Sequence, residues 1–229
     1  MRMSIWLPIY RTICKDFGYS EEKDMESAML LASLLGDKGK RSIEKVHPLF
    51  PQTVTVCGGG RCLADEVSSM KFEGYVVAAD SATSTLLEAG ILPNMIVTDL
   101  DGIVEEQIEA NARGCAVFVH AHGDNMDAVR RYVPQFVEPV VGTCQCPPVD
   151  GVFNFGGFTD GDRAACICAA LGARRVLLAG FDFDVPTEKP GKDSEVKRRK
   201  LRWAKVVLDK LVIEGVRVAK VSGCDDIFG

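Results

Sequence analysis

The chain has no long apolar run. Its hydrophobic stretches, Val176 to Phe181 among them, fall far short of the roughly 20 apolar residues that a membrane-spanning helix needs. Met1 to Tyr10 carries Ile5 and Trp6 but neither an extended apolar segment nor a small-residue cleavage signal, so no membrane partner is expected. An excess of positive charge is also lacking. Lys and Arg number 27 against 32 Asp and Glu, a net charge of -5 and a pI near 5.3. That is the wrong sign for a protein held to a phosphate backbone, so no nucleic-acid partner is expected. A small anionic ligand stays open, because a bound metal ion reverses the local field. The nine cysteines show no paired framework and no CxxC spacing, and Cys115, Cys166 and Cys168 sit in apolar stretches. They read as reduced thiols in a cytoplasmic protein. There is no internal repeat, no low-complexity tract, and neither a Rossmann nor a Walker A fingerprint.

What is present suits a globular α/β protein. With 229 residues, 47% hydrophobic and 26% charged, the length predicts one domain, here with an appendage. Residues 1–52 read as a small N-terminal helical appendage. Apolar residues at helical spacing predict a helix over Glu21 to Leu35, with Ser20 as its cap. Gly36 and Gly39 then read as ending it in a basic turn through Lys38, Lys40 and Arg41, and His47-Pro48 and Pro51 punctuate the chain. From residue 53 to 229 the rhythm changes to strands alternating with helices. Strands are expected at Thr53–Cys57, Tyr75–Ala79, Met95–Thr98, Ala116–His120, Val152–Phe155, Val176–Phe181 and Val216–Val221. Helices are expected from Arg61, through Leu86-Leu87, over Ile103–Ala112 and Met126–Val133, and at about 160–171 and 194–213. This alternation predicts a mainly parallel sheet with helices on both faces. Pro186 to Lys192 reads as a mobile loop.

The aspartates fall where strands end. Asp80 follows Ala78-Ala79, Asp99 and Asp101 follow Val97-Thr98, Asp124 follows the strand ending at His120, and Asp182 and Asp184 follow Phe181. In an open parallel sheet these ends share one edge, where such folds bind ligands. Any one of these aspartates alone is explained by an Asx-turn or a helix cap. Asp99 and Asp101, two apart in extended chain, point to the same side and suit one ion. Oxygen ligands of this kind point to Mg²⁺ rather than zinc. Gly58-Gly59-Gly60 after a strand reads either as a tight turn or as a close backbone approach to phosphate. His120-Ala121-His122-Gly123-Asp124 lacks the further ligands of a zinc site and reads as phosphate or substrate hydrogen bonding. Gly156 to Arg163 is a glycine turn into a helix, with Thr159 or Asp160 as cap and Arg163 a fork suited to phosphate. The basic run Lys197 to Trp203 reads as a solvated face with Trp203 inward, or as a cover over a nucleotide.

At these residues the chain resembles the thiamine pyrophosphokinase catalytic domain. The carrying segments are Ala78-Ala79-Asp80-Ser81, Ala89-Gly90-Ile91-Leu92-Pro93-Asn94, Thr98-Asp99-Leu100-Asp101-Gly102 and Phe158-Thr159-Asp160. It departs from that family at Thr98 (usually Gly), Asn94 (usually Asp) and Gly102 (usually Ser), and that family's β-rich C-terminal domain is not expected here. The chain is more similar to the archaeal 6-hydroxymethyl-7,8-dihydropterin diphosphokinase family. That likeness rests on Cys57 to Gly60, Val97 to Gly102, His120 to Asn125, Phe158 to Arg163 and Lys200 to Ala204, in order along most of the chain.

The resemblance implies transfer of diphosphate from ATP to the hydroxymethyl group of the reduced pterin, with AMP released, within tetrahydromethanopterin or folate-type cofactor synthesis. It implies Mg²⁺ on Asp80, Asp99 and Asp101, and phosphate or nucleotide contacts from Gly58, Gly59, Gly60, Arg163, His120, His122 and Asn125. Asp124 or Asp160 would take the hydroxyl proton or hold a second metal. Asn94, Asn125, Asn154 and Phe155 are candidates to read the pterin ring. A homodimer is expected by likeness to the thiamine enzymes. Three alternatives stay open at this level: a nucleotide-sugar-dependent transferase, a thiamine pyrophosphokinase, and a non-catalytic nucleotide-binding module.

Overall fold

The computed structural model describes residues 1–183 and 194–221. Three helices come first: α1 (Met3–Phe17), α2 (Glu21–Leu35) and α3 (Lys38–Val46). Strands and helices then alternate: β1 (Thr53–Cys57), α4 (Leu63–Ser69), β2 (Tyr75–Ala79), α5 (Ala82–Glu88), β3 (Met95–Thr98), α6 (Val104–Ala112), β4 (Ala116–Ala121) and α7 (Met126–Tyr132). Two strands in succession, β5 (Val140–Cys144) and β6 (Val152–Phe153), precede α8 (Asp160–Leu171), β7 (Arg175–Ala179), α9 (Ser194–Ile213) and β8 (Arg217–Lys220).

The strands form one sheet in the order β6-β5-β4-β3-β2-β1-β7-β8, and every ladder is parallel. Each residue of β3, β4 and β5 is buried, as strands are when helices cover both faces of a parallel sheet. From β1 the chain builds outward to β6, then crosses back over the sheet in α8 to place β7 on the other side of β1. The carboxyl ends of β1 and β7 therefore flank the point where strand order reverses, the place at which open α/β sheets bind ligands.

The N-terminal region holds more helix than its sequence pattern suggests. Ser20 caps α2 as expected, its hydroxyl accepting from the Lys23 N–H. But α1 is a further helix, and the stretch read as a basic turn is α3. Both are fixed by tertiary contacts that periodicity does not register. Fully buried Trp6 donates to the Gln145 carbonyl at 2.8 Å, and the Tyr10 hydroxyl donates to Asp24 at 2.8 Å. In α3, Gly39 permits close packing, because a Cβ there would lie 2.9 Å from the Gly151 carbonyl. Its Arg41 and Lys45 both pair with Glu138, and the Val140 N–H donates to Ser42.

Strand β5 is the other addition. Its Val-Val pair is short and broken by Gly142, where a Cβ would lie 2.8 Å from a Leu35 methyl of α2. β6 and β7 are shorter than their apolar runs; β7 stops where Gly180 turns at φ +69. The Pro186 to Lys192 loop and Asp184 lie outside the described residues. The eight described cysteines are all unpaired, and all but Cys62 are buried.

Candidate functional site

Two glycine turns build the floor of the site. After β1, Gly58 and Gly60 donate their N–H groups to the carbonyls of Ala179 and Gly180. A Cβ on Gly60 would lie 2.4 Å from the Gly180 carbonyl, and one on Gly180 would lie 2.2 Å from that of Gly58. Gly58, Gly59 and Gly60 do line the cavity, but the amides of Gly58 and Gly60 are engaged within the fold, not offered to phosphate. Close approach of two backbones explains Gly58, Gly60 and Gly180, whereas a Cβ on Gly59 would meet the Ser81 hydroxyl at 2.5 Å.

The carboxylates come together. Asp80, Asp99 and Asp101 each bring an oxygen within 4.8 Å of the others. The route differs from an extended Asp-x-Asp: β3 ends at Thr98, and Leu100 turns at φ +68. Asp80 is also left-handed, at φ +43. Side chains other than glycine adopt this region at a cost of roughly 1–2 kcal/mol per residue. Two such residues beside one carboxylate cluster are strain held in place by their surroundings.

Those surroundings are specific. The Thr98 hydroxyl donates to Asp80 Oδ1 at 2.7 Å and accepts from the Leu100 N–H at 2.9 Å. Gln107 donates to the same Asp80 oxygen at 3.1 Å. Gly102 leaves room for the cluster, since a Cβ there would lie 2.8 Å from Asp80 Oδ2. Burial and then the neighbouring Asp99 raise the Asp80 carboxyl above its ordinary range. Burial acts the same way on Asp99, but the neighbouring His122, with Arg163 and Lys200 nearby, holds it below.

A cavity of about 420 Å³ opens over this floor, bounded by Gly58–Gly60, Asp80-Ser81, Thr159–Gly161, Gly180–Asp182 and the α9 side chains Lys197 and Lys200. The start of α8 forms its far wall. There Asp162 closes a capping box with Thr159, accepting also from the Phe158 N–H at 2.6 Å. Asp160 lies at the same end, raised well above the usual carboxylate range by burial and by Asp99. Of the basic run of α9, Lys197 and Lys200 border the cavity, while Arg198 and Arg202 pair with Glu195 and Arg199 with Asp16. Trp203 is partly buried and donates to Asp16 at 2.9 Å.

A second cavity, of about 410 Å³, adjoins the first at the Asp99-Leu100-Asp101 turn, and Asp99, Asp101, Phe158 and Lys200 border both. Arg163 borders only this second cavity. It is 4% exposed and directs one nitrogen to Asp160 and another to the Phe158 carbonyl, both at 2.8 Å. It is therefore a buried brace for the turn, and among the described residues the cations bordering the glycine cavity are Lys197 and Lys200. Asp124 is exposed at the rim of the second cavity and outside the carboxylate cluster.

Several other expected contacts have different jobs. Asn125 is a clamp: it donates to the carbonyls of Asp99 and His120 at 2.8 and 2.7 Å, while its own oxygen accepts from the His122 N–H and from Ser27. His120 is 1% exposed, behind the site and bordering neither cavity. The Thr143 hydroxyl donates to Val119, so His120 Nδ1 carries the proton shared with Thr143. Burial, with Arg163 and His122 nearby, keeps this imidazole neutral. His122 does reach the cluster, with Nε2 3.6 Å from Asp99 Oδ2 and Nδ1 accepting from the Asp124 N–H.

Asn94 lies at the start of β3, the opposite edge of the sheet, accepting from the Val76 N–H. Asn154 is taken up by the carbonyls of Gln145 and Cys146, and Phe155 packs on Phe118 and Phe153. The residue that sequence reasoning missed is Asp24. It accepts from Tyr10, Gln145 and the Gly123 N–H, tying α2 to the loop after β4. An aspartate in helical register with Ala28, Leu31 and Leu35 is the signal the sequence carries.

The fold is thus that of an α/β protein with a carboxylate cluster at the carboxyl edge of its parallel sheet, the edge at which such sheets bind ligands. Residues 33–188 match the family described as 6-hydroxymethylpterin diphosphokinase MptE-like. The chain belongs to that family. It is 42% identical to the 6-hydroxymethyl-7,8-dihydropterin pyrophosphokinase of Methanothermobacter thermautotrophicus, over 96% of this chain and 100% of the relative. Proteins of the same name from Pyrococcus furiosus and Methanocaldococcus jannaschii are 42% and 34% identical, over 94% and 93% of this chain and 96% and 99% of theirs. Among solved structures, thiamine pyrophosphokinase from Bacillus subtilis aligns at 16% identity and a TM-score of 0.42, covering 74% of this chain and 60% of that one.

Proposed function

We propose that this chain is a 6-hydroxymethyl-7,8-dihydropterin diphosphokinase that uses ATP and releases AMP. The observation that carries the reading is the near full-length identity to relatives bearing that name. Three carboxylate oxygens within 4.8 Å are a hard-oxygen donor set suited to Mg²⁺, and their mutual repulsion favours a cation among them. Asp80, Asp99 and Asp101 would hold the ion, which supplies charge neutralisation for the triphosphate when bound.

The residues around it do the rest. The pterin hydroxymethyl oxygen attacks the β-phosphorus, the bond to the α-phosphate bridge breaks, and AMP leaves in line. Lys197 and Lys200, reaching from α9, place positive charge over the triphosphate. Asp160 borders the same cavity and is paired with Arg163 at 2.8 Å, which fixes the start of α8 beside the triphosphate. Such catalysis is mostly positioning, which suits a cluster held by Thr98, Gln107 and His122. The reaction belongs to pterin cofactor synthesis of the tetrahydromethanopterin type, in the cytoplasm, where reduced thiols persist.

The test is a product assay with ATP, Mg²⁺ and the reduced pterin, resolved by chromatography. AMP equal in amount to a new pterin diphosphate, and absent when pterin or metal is omitted, supports the reading. ATP binding without AMP formation would count against the assigned acceptor.

A further inference from the structure

In-line transfer sets the attacking and leaving oxygens on opposite sides of the phosphorus. Asp99 and Asp101 border two cavities of nearly equal size, so a phosphoryl group held at that turn has both within reach, one for the attacking and one for the leaving side. The glycine-floored cavity, with Lys197 and Lys200, is suited to the triphosphate. Resting on the diphosphokinase reading above, we propose that the second cavity is the acceptor subsite, taking a flat, polar, reduced heterocycle whose N–H edge is read by Asp124.

The lining has the chemistry this ligand needs. Tyr19 and Phe158 both border the cavity, with ring centroids 6.5 Å apart and planes tilted by 47°, and give it apolar faces for a flat ring. Around them stand Lys23, His122 and Asp124, which mix donors with acceptors. Two of the other carboxylates bordering the cavity are committed: Asp24 to Tyr10, Gln145 and Gly123, and Asp99 to His122. The Asp124 carboxylate has no side-chain partner among the described residues, so it is available to accept from two adjacent N–H groups of a ring. Arg163, at the same cavity, has a buried Nε–H that meets no acceptor. The volume of about 410 Å³ lies within the usual range for small-molecule sites.

This assignment gives the N-terminal helices work in the reaction. Gly18 to Lys23, the α1–α2 junction, forms one side of the acceptor cavity, and Asp24 fixes that junction to the loop after β4.

The experiment compares wild type with Tyr19→Ala and Asp124→Asn, measuring KM for pterin and for ATP separately, with circular dichroism and melting as checks on folding. In each variant the pterin KM is expected to rise at least about tenfold, the scale of a lost hydrogen bond to a charged group or a lost stacking face, with the ATP KM unchanged. If Tyr19→Ala does not fold, Asp124→Asn decides, since that side chain is exposed and its loss removes no internal contact. An unchanged pterin KM in folded Asp124→Asn, or an equal rise in the ATP KM, overturns the acceptor subsite. Failure of the wild type to form pterin diphosphate is read before any variant, and overturns the functional reading itself.

Discussion

Asp80 carries two opposing demands: its carboxylate is buried against Asp99, yet the Thr98 hydroxyl and Gln107 amide both donate to its Oδ1. Donors to a carboxylate favour its charged form, which is the form that binds metal. Replacing Thr98 with Val removes the donor to Asp80 and leaves the Leu100 N–H without its acceptor. Partners behind a metal ligand typically matter by 10–100-fold, so Thr98→Val should raise the Mg²⁺ concentration for half-maximal activity by about that factor. A magnesium titration of initial rates checks this; an unchanged midpoint would detach Thr98 from the site. At the cluster itself, Asp99→Asn and Asp101→Asn should each lower turnover by about a hundred- to a thousandfold, the scale of losing a central electrostatic contact. Circular dichroism should stay as in wild type. Near-normal activity of both folded variants would remove the metal assignment. The spacing of these two aspartates was legible in the sequence, and their convergence is real. The reason given by spacing was not: they meet because Leu100 turns left-handed, and backbone φ leaves no mark in residue type when the residue is a leucine.

At the scale of elements, the strands that carry the glycines and aspartates were legible, because short apolar runs ending in Gly or Asp recur at each carboxyl edge. Helix α3 and strand β5 were not. Their residues Lys38 to Arg41 and Val140 to Gly142 have weak local preferences, and they are ordered by each other through Ser42 and Glu138. That dependence is measurable by pH. Hydrogen bonds from Lys45 and Arg41 lower the Glu138 carboxyl from 4.5 to about 2. A carboxyl depressed in the folded state contributes stability above its unfolded value, and that contribution is lost as pH falls through the folded one. Wild type should therefore melt higher than Glu138→Gln at pH 6, with the gap closing between about pH 4.5 and 2. The exposed cations make the gap small and salt-sensitive. Melting curves of both proteins across this range check it, and a gap that persists at pH 2 would point to some cause other than charge.

For the whole molecule, the division into 52 N-terminal residues and the α/β remainder is a division of sequence rhythm, and the packing suggests a different unit of folding. Trp6, Tyr10, Ile13, Leu31 and Leu35 belong to the same buried cluster as the residues of β1 to β7. Trp6 and Asp24 are also hydrogen-bonded to residues beyond β4, through Gln145 and Gly123. A core shared in this way has no interface at which one part can open while the other stays closed, which favours a single unfolding transition. The full chain should then show one equilibrium unfolding transition. Tryptophan fluorescence reports chiefly on Trp6 in α1 and Trp203 in α9, and far-ultraviolet dichroism on all the helices and the sheet. The two curves should coincide in denaturant. A chain lacking residues 1–52 should fail to show a cooperative transition, because it exposes the face of β4 and β5 against which α2 packs. Separate transitions, or a truncated chain that unfolds cooperatively with unchanged midpoint, would make the N-terminal helices an independent attachment. That result would also weaken the acceptor cavity, since one of its sides would then be free to leave.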